Sequence, residues 1–135
     1  MSKYLGIDYG DQRIGLAISD EDGEFAVPLE IITNEGREKT IAKIDALAKE
    51  EKIKIIVVGL PLPLSPNQPV NEEQRRKTER FIAALKALPY QVATEDERLT
   101  SKLAERLTLR KSAGQDDVAA MLILQTYLDK TSLAS

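Results

Sequence analysis

The chain has 135 residues, of which 42% are apolar and 30% are charged, and its formal net charge is −3. This composition is typical of a globular protein, and we expect residues 1–135 to form a single domain. No apolar stretch reaches the roughly 18 residues of a membrane helix and the N-terminus lacks the layout of a signal peptide, so a cytoplasmic protein with no membrane partner is expected. The sequence contains no histidine and no cysteine, which excludes thiol nucleophiles, disulfide bonds and the commonest general base. Catalysis by this chain would depend on carboxylates, Lys, Tyr, Ser, Thr or a bound ion.

Three strands are predicted at the start of the chain, joined as a meander. Gly10 and Asp11 have the turn chemistry that joins two strands as a hairpin. Pro28 lies within the third strand and predicts an irregularity or an edge position, because proline cannot donate a ladder hydrogen bond. The predicted strands are Tyr4–Asp8, Arg13–Ser19 and residues 25–33.

The rest of the chain alternates helices and strands. Four consecutive apolar residues, from Ile55 to Val58, are typical of a strand that is buried on both faces of a sheet. Prolines predict that residues 60–70 form a stiff loop that is not helical. Asn34 and Asn71 are candidate caps of the helices that follow them. Helices are predicted at residues 37–51, 71–88, 100–110 and 116–129, and a strand at residues 90–94.

This order of elements predicts an α/β fold. We expect a mixed five-stranded sheet, made of a three-strand meander followed by alternating helix and strand, with helices on both faces. The last helix is apolar on nearly every side over residues 118–124, which predicts that it is well buried.

Three acidic residues that are far apart in the sequence each lie at the end of a regular element. Asp8 ends the first strand, Glu97 follows the last strand, and Asp116 opens the last helix. Active sites of α/β domains gather at such places. Carboxylates that lie close together oppose one another's ionisation, and a divalent cation such as Mg²⁺ or Mn²⁺ resolves that conflict. The alternative is that each acid is an Asx-turn or helix-cap residue.

Basic residues recur every fourth position after Glu97, at Arg98, Lys102, Arg106 and Arg110. On a helix these side chains lie along one face, where they could hold a phosphate backbone beside the acids. The alternative is a solvated helix face. A second basic group, with the same two interpretations, contains Arg75, Arg76, Lys77 and Arg80.

Four segments resemble one known family in order and spacing: "LGIDYGDQRIGLAISD", "IIVVGLPLP", "EDERLTS" and "DDVAAMLILQTYL". This is the YqgF-type (RuvX-like) family of pre-16S rRNA nucleases, also described as Holliday junction resolvases, of the RNase H-like superfamily. The resemblance covers nearly the whole chain. "GIDYG" by itself also resembles the phosphate loop of actin, Hsp70 and the sugar kinases, but those proteins close two such domains over a nucleotide.

The resemblance implies an RNase H-like fold and a metal-dependent nuclease that acts in 5′-end maturation of 16S rRNA. Asp8, Glu97 and Asp116 match the family's acids and would be both the catalytic residues and the ligands of one or two Mg²⁺ or Mn²⁺ ions. The alternative is that a neighbouring acid, Asp96 or Asp117, replaces or assists Glu97 or Asp116. Arg13 matches the arginine of the opening motif and, with Arg98, Lys102 and Arg106, would contact substrate phosphates.

Two other functions stay open from the sequence. Gln12 stands where the family usually has lysine, and this missing cation favours a non-catalytic nucleic-acid or ribosome-assembly binding module on the same fold. A Holliday junction resolvase would present the same acids to branched DNA. The chain could be a monomer or a homodimer, and a junction-cutting role favours a two-fold dimer.

Overall fold

The computed structural model describes residues 3–60, 72–96 and 115–134, except for the side chains of residues 115–117 and 132–134. The elements in chain order are β1 (Tyr4–Asp8), β2 (Arg13–Ser19), β3 (Ala26–Thr33), α1 (Arg37–Glu50), β4 (Ile55–Leu60), α2 (Glu72–Leu85), β5 (Gln91–Asp96) and α3 (Gln115–Ala134). Each of them was predicted, with ends that differ by a few residues. The predicted loop beyond Leu60 and the predicted helix at residues 100–110 lie outside the described residues.

The five strands form one mixed sheet in the order β3-β2-β1-β4-β5. The opening meander is antiparallel, whereas β1, β4 and β5 are parallel to one another. The mixed five-stranded sheet is therefore as predicted. Because parallel strands point the same way, the carboxyl ends of β1, β4 and β5 lie along the same side of the sheet.

Helices cover both faces of the sheet, as the apolar pattern predicted. Alternate residues of a strand point to opposite faces, so Leu5 and Ile7 pack with α1 and α2 on one face. Val57 and Ala17 point to the other face and pack with α3. The residues of α3 that are buried there include Ala120, Ile123, Leu124 and Leu128.

Pro28 lies on an edge strand and at an irregularity, so both structural reasons for a proline in a strand apply. Leu16 pairs with Glu30 and the next residue, Ala17, pairs with Pro28, which leaves Leu29 as an extra residue in β3. Such a bulge interrupts pairing at the edge, and the missing N–H of proline has the same effect.

The prediction that Asn34 caps the first helix is wrong in position. The N-cap is Gly36, with φ 104° and no side-chain cap hydrogen bond. The Asn34 carboxamide oxygen instead accepts a hydrogen bond from the Gly36 N–H at 3.1 Å, as in an Asx turn. The turn therefore comes before the helix, and a glycine adopts the backbone conformation that other residues avoid.

The carboxyl end of α1 is closed by a Schellman motif in which the left-handed residue is Lys52 rather than glycine. The Ile53 N–H donates to the Ala48 carbonyl at 2.8 Å and the Lys52 N–H donates to the Lys49 carbonyl at 3.3 Å. Lys52 has φ 58°, a conformation that costs a residue with a Cβ atom about 1 kcal/mol relative to glycine.

Lys52→Gly is expected to raise the free energy of unfolding by roughly 0.5–1 kcal/mol, because glycine adopts this conformation without the steric cost. Urea denaturation measures the change. Lys49→Gly, in the last turn of the same helix, is the matched control and should destabilise, since there glycine replaces a helical residue. A destabilising Lys52→Gly would contradict the assignment of strain to this position.

Candidate active site

Asp8 is the last residue of β1 and points to the face of the sheet that α3 covers. Leu5 and Ile7 pack on the other face, so the alternation of the strand directs Gly6 and Asp8 towards α3. The side chain of Asp8 is half-buried. The predicted catalytic acid thus lies at the edge of the core, where a carboxylate is partly shielded from water but still reachable.

Asp8 lies between two glycines on the neighbouring strands. On one side Asp8 pairs with Gly15 of β2. On the other side Ile7 pairs with Val58, so the next residue of β4, Gly59, lies beside Asp8. Neighbouring strands are about 4.8 Å apart, and neither glycine places a side chain next to the carboxylate. The two strand positions that flank Asp8 therefore add no side chain beside its carboxylate.

Arg13 lies on the same face of the sheet as Asp8, at the start of the adjacent strand. Ile14 packs on the opposite face, and Arg13 and Gly15 therefore share the face that Asp8 uses. The Arg13 side chain is exposed, and no carboxylate of the described residues forms an ion pair with it. A guanidinium at this position suits contact with an anion that approaches Asp8.

Asp116 lies in the first turn of α3, and only its backbone position is described. One helical turn later, α3 is pressed against β1. A Cβ atom built on Gly6 would lie 2.7 Å from the Leu124 Cβ and 3.0 Å from the Ala120 carbonyl oxygen. This close approach puts the start of α3 on the same face of the sheet as Asp8, as the prediction of a shared site requires.

The other predicted site residues lie outside the described residues. Glu97 follows directly on Asp96, which ends β5 and pairs with Leu60 of β4. Of the three predicted metal ligands, only Asp8 has a described side chain, and among the described residues no group of three or more acidic side chains could hold a metal. Nothing is described of Arg98, Lys102 or Arg106, so their predicted contacts with phosphate stay predictions.

The structure adds one acid that the sequence interpretation missed, Glu95. It pairs with Gly59 in the parallel register, is only 5% exposed, and forms an ion pair with Lys130 of α3 at 2.5 Å. The pKa of the nearby Tyr127 phenol is raised, mainly because the phenol is buried and to a smaller extent because of the charges of Tyr4 and Glu95. The pair joins the end of β5 to α3. Strand alternation could have assigned Glu95 to the face of the sheet that α3 covers, but the burial of Glu95 depends on where α3 docks.

None of the described helices is long and apolar enough to cross a membrane.

Comparison with solved structures identifies the class of fold. T. thermophilus RuvC in complex with a Holliday junction substrate aligns with a TM-score of 0.73 over 100% of this chain and 98% of its own, at 14% identity. The large terminase nuclease of the thermophilic phage G20c aligns with a TM-score of 0.60 at 11% identity, over 93% of this chain and 81% of its own. The chain therefore has the RNase H-like fold of the RuvC nucleases, as predicted.

The sequence identifies the family within that class. The family model described as "RuvX: Holliday junction resolvase" matches residues 2–130. A protein of Sulfurihydrogenibium sp. (strain YO3AOP1), named "Putative pre-16S rRNA nuclease", is 43% identical over 100% of this chain and 95% of its own. A protein of Endomicrobium trichonymphae with the same name is 40% identical, over 96% of both chains. The chain belongs to the RuvX family.

Proposed function

We propose that this chain, with residues 1–135 acting as one nuclease domain, is a metal-dependent nuclease that hydrolyses phosphodiester bonds in 5′-end processing of pre-16S rRNA. The observation that carries the proposal is the position of Asp8: at the carboxyl end of a central parallel strand, half-buried, with a glycine on either side. Membership of the RuvX family and the name of the 43% identical relative support the substrate.

The donor set fits a hard divalent cation. Asp8, Glu97 and Asp116 would supply carboxylate oxygens, which Mg²⁺ and Mn²⁺ prefer, to one or two ions. When bound, such ions supply a nucleophilic water and charge stabilisation to phosphodiester hydrolysis. Metal-bound carboxylates therefore allow catalysis in a chain that has no histidine.

The basic residues of the proposed site bind and orient the substrate. Arg13 lies on the face of Asp8 and is exposed, so its planar guanidinium can hold a phosphate oxygen pair beside the acid. Arg98, Lys102 and Arg106 would extend this contact along the backbone of the nucleic acid. Phosphate contacts carry no base information, so they place the substrate without selecting its sequence.

A protein that processes rRNA precursors in a bacterium works in the cytoplasm, and the proposal includes that location.

Cleavage of branched DNA is the second candidate, since the fold matches RuvC bound to a Holliday junction with a TM-score of 0.73. Symmetric cleavage of a four-way junction needs two active sites, so this function requires a two-fold dimer. Measuring the mass of the protein in solution, alone and with a junction, tests that requirement.

A cleavage panel tests the proposed function. Labelled RNA that contains the 5′ end of pre-16S rRNA and a four-way DNA junction are each incubated with Mg²⁺, with Mn²⁺ or with EDTA. Metal-dependent cleavage of the RNA is expected, together with little cleavage of the junction. Junction cleavage alone would favour the second candidate. Tight RNA binding without cleavage under any metal would contradict the nuclease and favour a non-catalytic binding module.

A further inference from the structure

The turn that follows Asp8, residues 9–12, is held by side chains from other parts of the chain. The Tyr9 carbonyl accepts a hydrogen bond from the Gln74 side-chain amide at 3.2 Å. The Gly10 carbonyl accepts one from the Asn34 side-chain amide at 2.9 Å, and the Gln12 carbonyl accepts one from the Asn34 backbone N–H at 2.9 Å. The turn is therefore fixed from α2 on one side and from Asn34, in the loop between β3 and α1, on the other.

Helix α2 holds the residue next to Asp8 in two ways. The Tyr9 ring stacks on Phe81, with centroids 4.3 Å apart and an interplanar angle of 27°, and Phe81 is fully buried. Gln74, two turns earlier on the same helix, binds the Tyr9 carbonyl. Both the ring and the carbonyl of Tyr9, the residue that follows Asp8, are thus held by α2, which limits the directions that the Asp8 side chain can take.

Lys77 adds a charged contact to the same turn. Its ammonium lies 3.2 Å from an Asp11 carboxylate oxygen and 3.3 Å from a Glu73 carboxylate oxygen. The hydrogen bonds to Asp11 and then Glu73 raise the pKa of Lys77 above its usual value, so Lys77 stays charged at neutral pH. The lysine is half exposed and its pair is worth little to stability, but it fixes the turn relative to the helix.

We propose that Gln74 and Lys77 are positioning residues, which hold residues 9–12 against α2 and thereby set the direction of the Asp8 carboxylate. Neither residue needs to touch the substrate. The inference rests on the proposed function in that Asp8 is taken to be a metal ligand. Small displacements of a reacting group lower rates strongly, by up to about a hundredfold for 1 Å, so the expected effect is on turnover rather than on substrate binding.

Gln74→Met tests the proposal, because methionine keeps the length and helix propensity of glutamine but removes the donor. We expect kcat for RNA cleavage to fall at least tenfold and KM to change less than twofold. The backbone N–H of Asn34, which donates to the Gln12 carbonyl of the turn, should exchange with solvent several-fold faster. Gln74→Lys, which restores a donor, should recover part of kcat. Glu79→Gln, on the exposed face of the same helix, is the matched control and should behave as wild type.

The outcomes separate this inference from the proposed function. A wild-type protein that cleaves RNA, with unchanged kcat and unchanged Asn34 exchange in Gln74→Met, overturns the positioning role and leaves the nuclease in place. If the wild-type protein cleaves nothing, the proposed function fails, and the exchange rate of the Asn34 amide still decides whether Gln74 holds the turn. A fall in kcat that Gln74→Lys does not recover, with normal Asn34 exchange, would also overturn the proposal.

Lys77→Met, with Lys77→Arg as the conservative variant, provides a second test. Loss of the contact to Asp11 should lower kcat several-fold with at most a small change in the free energy of unfolding, since an exposed ion pair contributes little to stability. Lys77→Arg keeps the charge and should retain most of kcat. A change in KM alone would show that Lys77 contacts the substrate instead of positioning the turn, and would overturn its assigned role.

Discussion

Asp8→Asn is expected to lower metal-dependent cleavage at least about a thousandfold while the protein remains folded. The substitution keeps the shape of the side chain but removes its negative charge and one of the two oxygens that could bind a cation. Metal stabilisation of transition-state charge is worth several kcal/mol, and each 1.36 kcal/mol is a factor of ten in rate. Asp8 is half-buried, and Gly15, its partner on β2, offers no side chain that could replace it.

Three measurements check this expectation. Single-turnover cleavage of the RNA substrate gives the rate, titration with Mn²⁺ gives the metal affinity, and urea denaturation gives the stability. Asp22→Asn makes the same chemical change at an exposed position of the β2–β3 turn and should alter none of them. If Asp8→Asn cleaved at the wild-type rate, Asp8 would be a structural turn residue, which is the other interpretation that its sequence context allows.

Gly6→Ala is expected to destabilise the protein by about 3 kcal/mol. The new Cβ would lie 2.7 Å from the Leu124 Cβ and 3.0 Å from the Ala120 carbonyl oxygen. Neither atom is the flexible end of a side chain, so α3 itself has to move away from the sheet. Overpacking of this kind costs about 1–3 kcal/mol, occasionally more.

Gly36→Ala is the comparison for Gly6→Ala. A Cβ on Gly36 meets nothing within 4 Å, but the residue has φ 104°, so its cost of about 1–2 kcal/mol arises from the backbone alone. The NMR signals of the Tyr127 ring, whose centroid lies 6.1 Å from that of Tyr4, report the docking of α3. They should shift in Gly6→Ala and stay in place in Gly36→Ala. Equal costs and unchanged Tyr127 signals in both variants would contradict the close approach of α3.

Local patterns predicted each of the described strands and helices. The apolar run around Val57 predicted a buried strand, and Val57 has no exposed surface. Pro28 predicted an edge position or an irregularity, because a missing N–H has the same effect in any fold, and the structure shows both. The prediction that Asn34 caps α1 was wrong because its side chain forms a turn with Gly36. The sequence alone leaves open which of these two local hydrogen bonds an asparagine makes.

The candidate site was less accessible to prediction than the fold. Asp8 and Arg13 could be placed at strand ends, and the structure puts both on one face of the sheet. Glu95 was missed, because the same acid at a strand end is exposed or buried according to where a distant helix packs. The attachment of residues 9–12 to Gln74 was also missed, since the contact joins segments 65 residues apart.

By itself the sequence determined the order of strands and helices, the family and the residues that could bind a cation, because strand and helix periodicity and motif spacing are properties of neighbouring residues. Only the tertiary structure decided what surrounds Asp8. The glycine on its β4 side follows from the parallel register of β1 and β4, and the close approach of α3 follows from packing on Gly6. Both depend on how side chains from distant segments fill the space between sheet and helix, which no local pattern specifies.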